Sequence, residues 1–181
     1  VHHKARELGA TVIYDSIGVG AGCGAKFNEL NQTNKCSVKH AKFNAGAAVV
    51  KPEALYERAA GIKNKDFFTN LKSQSWWCVA DRFRLTYQVV NAIKNGETPP
   101  PYQLDELISI SSKCPNLEKL KMELSIPMRD FDNNGRVKVE SKKDLAKRDI
   151  KSPNIADSFI MAYAPINSGL NIRPDALKGL F

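Results

Sequence analysis

The sequence predicts an α/β protein. Three observations carry that reading: a short β-branched and aromatic run, Thr11-Val12-Ile13-Tyr14; a long stretch of apolar residues at helical spacing over residues 66–95; and a closing helix with start and stop signals between Ser152 and Pro165.

Residues 1–8 read as the end of a helix, and Gly9 suits the left-handed backbone that commonly terminates one. The strand over residues 11–14 is followed at once by Asp15, which puts a carboxylate at a strand's C-terminal rim, where open α/β sheets place their ligands. Next comes Gly18-Val19-Gly20-Ala21-Gly22-Cys23-Gly24, whose alternate glycines permit close approach of another chain, a ligand or a metal-bound phosphate. A helix is expected to begin within residues 25–30, a second extended segment lies around residues 38–43, and a polar loop runs on to Lys65.

In the long helix expected over residues 66–95, Phe68, Leu71, Ser75, Val79, Phe83, Val90 and Ile93 fall near helical spacing, and Asn95-Gly96 is a stop signal. Trp76 and Trp77 are expected to pack this helix onto the sheet; a platform on which bases stack is the alternative reading. Thr98-Pro99-Pro100-Pro101 forms a stiff connector. Two helical pieces fit residues 104–112 and 116–124, split by Cys114-Pro115. Asp132-Asn133-Asn134-Gly135 predicts a hairpin turn between residues 128–131 and the alternating Arg136-Val137-Lys138-Val139-Glu140. In the closing helix Ser152 is the expected N-cap, Pro153 the first helical position, and Ile155, Ala156, Phe159, Ile160 and Tyr163 the apolar stripe. Asp157 lies on the border of that stripe, about 60 degrees round the helix from Ile160.

With 181 residues, 43% of them hydrophobic, the chain has room for one domain, residues 1–181, with a sizeable core. No apolar run approaches the roughly 18 residues that span a bilayer, and residues 1–6 carry no signal-peptide pattern, so an intracellular protein without a membrane partner is expected. Cys23, Cys36, Cys78 and Cys114 stand at wide spacings without a C-x-x-C pair, which favours reduced, buried thiols over zinc or disulfides. A net charge of +8 favours polyanionic partners such as nucleic acid.

Two carboxylates stand out by position, Asp15 beside the glycines and Asp157 in the first turns of a helix expected on the same sheet. Hard cations such as Mg²⁺ take oxygen ligands, and phosphodiester nucleases use two of them roughly 3.5 to 4 Å apart. The bland readings are a turn-forming Asp after a strand and an Asp interacting with a helix dipole. Lys138, Lys142, Lys143, Lys147, Arg148 and Lys151 crowd the approach to Asp157, either as a ridge that draws a phosphate backbone or as a solvated face. Gly20-Ala21-Gly22-Cys23-Gly24-Ala25 also matches a dinucleotide fingerprint in outline, but the acidic residue expected about 20 positions on is missing. Ala25-Lys26-Phe27 fails the Walker pattern, and the three histidines receive no role.

Three stretches together resemble the C-terminal nuclease domain of tailed-phage terminase large subunits of the P22-like kind. They are Val12-Ile13-Tyr14-Asp15 through Gly22; Lys65-Asp66-Phe67-Phe68 into Trp76-Trp77 and Asp81-Arg82-Phe83; and Val139-Glu140-Ser141-Lys142-Lys143 through Asn154-Ile155-Ala156-Asp157-Ser158-Phe159. The resemblance implies a ribonuclease H-like mixed sheet flanked by helices, in which three acidic residues hold two Mg²⁺ or Mn²⁺ ions and cut concatemeric viral DNA. By position Asp15 matches the family's second metal ligand and Asp157 its third. The first belongs on an opening strand upstream of Val1, and no residue here matches it, so the N-terminal strands are expected to be missing and the fragment inactive on its own. Asp130, Asp132 and Glu140 lie near Asp157 in sequence without matching the missing ligand. On this reading Lys142, Lys143, Lys147, Arg148 and Lys151 contact double-stranded DNA. The implied partners are the ATPase domain of the same full-length chain, the small terminase subunit and the portal, and the implied place of action is the cytoplasm of the infected or lysogenic host. Two other classes of function compete: a DNA-gripping module of the packaging motor without turnover, and a nucleotide-binding α/β protein using the Gly18-to-Gly24 loop.

Overall fold

A computed structural model describes residues 1–166. These divide between two compact units, one containing Val1–Asn44 and the other Ala45–Pro165.

In the first unit, helix α1 (His2–Leu8) stops at Gly9, whose φ of 60° is the left-handed conformation expected there. Strand β1 (Val12–Asp15) pairs in parallel with β2 (His40–Phe43), Asp15 lying opposite Phe43. A parallel pair needs a crossover. It is supplied by a 3-10 helix over Gly18–Gly22 that runs directly into helix α2 (Cys23–Thr33). Phe27 of α2 packs with Ala5 and Val38, and stacks on Tyr14 at 6.2 Å between ring centroids.

The second unit corrects the long helix expected over residues 66–95. Helix α3 (Asn64–Phe67) ends at Phe68, which is extended and bridges to Val137, and helix α4 (Leu71–Lys94) starts afresh. The cause is local: Asn70 Oδ1 accepts the Ser73 N–H at 3.0 Å, a side-chain cap that competes with a continuous helix. Breaking the helix also lets Phe68 leave it for a core position with Val49 and Val137, where it is 2% exposed. Phe83, Val90 and Ile93, assigned to the buried stripe from their spacing, lie exposed, whereas Leu85 and Ala92 are buried.

Residues 104–112 form only a 3-10 turn, Leu104–Glu106. The following segment is held along α4 instead: Ile108 N–H donates to Thr86 Oγ1 at 2.9 Å and Arg82 donates to the Leu107 carbonyl at 3.1 Å. Helix α5 (Leu117–Ser125) follows, then the expected hairpin, β3 (Arg129–Phe131) antiparallel to β4 (Val137–Val139), with Gly135 at φ 74° in its turn. Helix α6 (Lys142–Lys147) is capped by Ser141, and α7 (Asn154–Ala162) closes the unit.

The core of this unit joins Trp76 and Val79 of α4, Val139 of β4, and Ala156 and Ile160 of α7. Trp77 is half-buried and packs against the same cluster and toward Phe68, so both tryptophans are core residues rather than a platform for bases. The described strands form a parallel pair, β1 with β2, in the first unit and an antiparallel pair, β3 with β4, in the second. The final helix packs on α4, α5 and β4 of its own unit. All four cysteines are free but only half-buried, less enclosed than their spacing suggested. Among the described residues no helix is long and apolar enough to cross a membrane.

Candidate metal-binding carboxylates

Asp157 sits in the first turn of α7, where the expected capping is corrected. The Ser152 side chain does not cap; its buried Oγ has no partner among the described residues. Each N–H of the turn is nevertheless satisfied. Asn154 donates to the Ser152 carbonyl at 2.9 Å and Asp157 to the Pro153 carbonyl at 2.8 Å. Ile155 and Ala156 both donate to Glu123 Oε2, at 2.7 and 3.0 Å. Glu123 comes from α5 and is 6% exposed, so a buried carboxylate from another helix takes the place of a sequence-local cap.

The consequence for Asp157 is that its own carboxylate is not spent on the helix end. Asp157 Oδ2 instead holds the Lys142 ammonium at 2.9 Å, with the Asp157 side chain 23% exposed. Lys72, from the first turn of α4, lies in the same neighbourhood and donates to the Glu140 carbonyl at 2.8 Å. Burial pushes its ammonium below the usual lysine range, and the negative charge of Asp157 is the strongest influence pulling the other way. Glu140 is committed internally. Its Oε2 accepts the Met128 N–H at 3.0 Å and Arg148 at 2.6 Å, and those two donors hold its carboxyl below the usual range.

Asp15 ends β1 in the other unit and is exposed. Its Oδ1 accepts the Ile17 N–H at 3.0 Å, an Asx turn that fixes the side chain at the strand end, and Oδ2 has no partner among the described residues. Two of the glycines behind it, Gly20 and Gly24, have packing reasons. A Cβ on Gly20 would collide with the Asp15 carbonyl oxygen, and one on Gly24 with the Tyr14 hydroxyl. Packing thus accounts for two of the three glycines of the nucleotide-fingerprint outline, Gly20 and Gly24. Both aspartates offer hard carboxylate oxygens, the donors that Mg²⁺ and Mn²⁺ take. Among the described residues no group of three or more His, Cys, Asp or Glu is gathered closely enough to hold an ion.

No protein-family model matches the chain, and no curated protein matches it. Solved structures do. The nuclease domain of the large terminase subunit of bacterial virus Sf6 matches at 31% identity and TM-score 0.73, over 90% of this chain and 68% of that one. A point variant of the same domain with manganese matches at 30% identity and TM-score 0.73, over 90% of this chain and 69% of that one. The variant with calcium matches at 30% identity and TM-score 0.72, over 90% and 68%. The chain belongs to the family of terminase large-subunit nuclease domains.

Within this terminase nuclease domain the basic residues before α7 are not equivalent. Lys142 is paired with Asp157, Lys147 with Asp144 at 2.7 Å and Arg148 with Glu140 at 2.6 Å. Lys143 and Lys151 are exposed, and their side chains make no hydrogen bond or ion pair among the described residues. Sequence reasoning missed Glu123 and Lys72. Lys72 looks like one more helix-surface lysine, and Glu123 reads as an exposed polar position of α5. Ala156 and Ile160 on α7 gave the only available hint, since a helix so deeply buried needs its terminal N–H groups satisfied by something.

Proposed function

We propose that this terminase nuclease domain is a metal-dependent DNA endonuclease of ribonuclease H-like fold that cuts concatemeric viral DNA during genome packaging. Residues 1–181 serve as one nuclease domain, with Asp15 and Asp157 as ligands of two Mg²⁺ or Mn²⁺ ions. The observation that carries the reading is the state of Asp157: a carboxylate relieved of capping by Glu123 that already draws a cation, Lys142, at 2.9 Å. Bound divalent ions would supply activation of the attacking water and neutralisation of charge on the scissile phosphate.

The chain's own residues do the rest. Asp15, exposed and fixed by its Asx turn, has its second oxygen left for a cation. Were Asp157 to hold a divalent ion, the Lys142 ammonium beside it, at 2.9 Å, would be available to an incoming phosphate. Lys143 and Lys151, with no partner to break away from, provide the first attraction for the DNA backbone, and Lys147 and Arg148 extend it. The family membership supports an ATPase domain, a small terminase subunit and a portal as working partners, and action in the host cytoplasm. A DNA-gripping role without turnover is the second reading, favoured by the net charge of +8 and the run of basic residues over 142–151.

Plasmid nicking in Mn²⁺ by a terminase large-subunit chain that carries all three of the expected acidic ligands, and by its variants, separates the two. Asp157→Asn and Asp15→Asn are each expected to abolish cutting while leaving the melting temperature near that of the parent. Undiminished cutting by either variant removes that residue from the mechanism, and DNA binding with no nicking by the parent protein selects the gripping role.

A further inference from the structure

We propose that Glu123 is a positioning residue for cation binding at Asp157: it cancels the positive end of α7 and fixes the turn from which Asp157 projects. The inference rests on Asp157 being a cation ligand. A helix N-terminus carries the equivalent of about half a positive charge, concentrated in its first turn. Asp157 stands in that turn, so an uncompensated α7 would repel the ion its carboxylate is to hold. Glu123 removes the conflict. Its Oε2 takes the N–H groups of Ile155 and Ala156, the two residues immediately before Asp157, at 2.7 and 3.0 Å.

The arrangement also answers why an acid is used. Two N–H donors need only an acceptor oxygen, and a serine or threonine cap beside the helix would supply one. Burying a carboxylate to 6% exposure is the costlier choice. Its other oxygen is only loosely engaged, with the exposed Lys119 at 3.9 Å. What the carboxylate adds over a neutral cap is negative charge, delivered where Asp157 needs the helix end neutralised.

Glu123→Gln tests this, because glutamine keeps an acceptor oxygen of nearly the same reach and loses only the charge. Mn²⁺ titration calorimetry and thermal unfolding would be run on the whole chain. The expected result is Mn²⁺ affinity about three- to ten-fold weaker at an almost unchanged melting temperature, the size of effect one charge exerts at short range near a surface. A purely structural cap predicts full rescue of both, so wild-type Mn²⁺ affinity in Glu123→Gln overturns the inference. Should Glu123→Gln fail to fold, Lys119→Glu decides: added negative charge on this exposed position must tighten Mn²⁺ binding by about two- to three-fold, and unchanged or weaker binding overturns the inference. Asp157→Asn separates the layers. Unaltered Mn²⁺ affinity in that variant sinks the ligand assignment itself, whereas weakened binding there beside an unaffected Glu123→Gln sinks only the role given to Glu123.

Discussion

Gly20 lies directly against the carbonyl oxygen of Asp15, leaving no room for a side chain. Gly22, two residues on in the same loop, has open space where its Cβ would stand and an ordinary negative φ of −83°. Alternating glycines in one short loop therefore differ in what they do. Gly20→Ala must push the strand end or the loop aside, with an expected cost of about 1 to 3 kcal/mol and a displaced Asp15. Gly22→Ala is expected to change stability by less than about 0.5 kcal/mol. Thermal unfolding of the two variants checks the contrast; equal effects would mean that the loop does not bear on Asp15.

A second prediction inverts the sequence expectation at the closing helix. Ser152 has the residue type and the position of an N-cap, and loss of such a cap ordinarily costs about 1 kcal/mol. Here the Ser152 Oγ is buried without a partner among the described residues, while Glu123 holds the N–H groups. Ser152→Ala is accordingly expected to be neutral or slightly stabilising in denaturant unfolding, since it removes a buried unpaired hydroxyl. Glu123→Ala, which strands two amides, should be the destabilising change.

The same contrast shows what could be read from the sequence. The β1 strand, its terminal Asp15, the Gly9 stop and the hairpin around Gly135 were legible because each depends on neighbours a few residues apart. Phe68 was misplaced because its helical spacing was satisfied in number while Asn70 broke the helix after it. Phe83, Val90 and Ile93 kept the right period on the wrong face, since periodicity gives a stripe but not which stripe another element covers. At the candidate site Asp157 is singled out by its position in the sequence, whereas Glu123 is not, because a cap supplied from 32 residues away leaves no local pattern.

The break at residues 68–70 yields a third prediction. Asn70→Ala removes the acceptor for the Ser73 N–H and should cost about 1 kcal/mol. Phe68→Ala empties a position only 2% exposed and should cost about 3 to 5 kcal/mol. Urea unfolding resolves the difference. A Phe68→Ala effect as small as that of Asn70→Ala would place Phe68 on a helix surface after all.

Acid should destabilise the second unit through carboxylates held by local donors. Lys147 and Ser141 lower Asp144 from 3.8 to about 2, and Glu140 is lowered by the Met128 N–H and Arg148. A folded-state pKa below the unfolded one means stability that is fully present above the unfolded value and is lost as pH falls through the folded value. For Asp144 that window runs from about pH 4 down to about 2. Melting temperatures measured from pH 5 to 2 should fall less steeply in Asp144→Asn than in the parent, and an identical slope would show that the Ser141 and Lys147 contacts do not persist in solution.

The basic ridge supplies the last prediction, about salt. Each lysine that neutralises a phosphate contributes roughly 0.9 to the slope of log affinity against log salt concentration on duplex DNA. Lys143 and Lys151 have no partner among the described residues, so Lys143→Ala and Lys151→Ala should each flatten that slope by about 0.9 while leaving stability alone. Arg148 is different in kind. It is tied to Glu140, whose side chain is 9% exposed, so Arg148→Ala leaves a largely buried carboxylate with one donor fewer and should lower the melting temperature. DNA binding by fluorescence anisotropy across a salt series, beside thermal unfolding, tells the two roles apart. If Arg148→Ala flattens the slope as much as Lys143→Ala at unchanged stability, the pairing with Glu140 gives way to phosphate when DNA arrives, and Arg148 joins the DNA-binding set on equal terms.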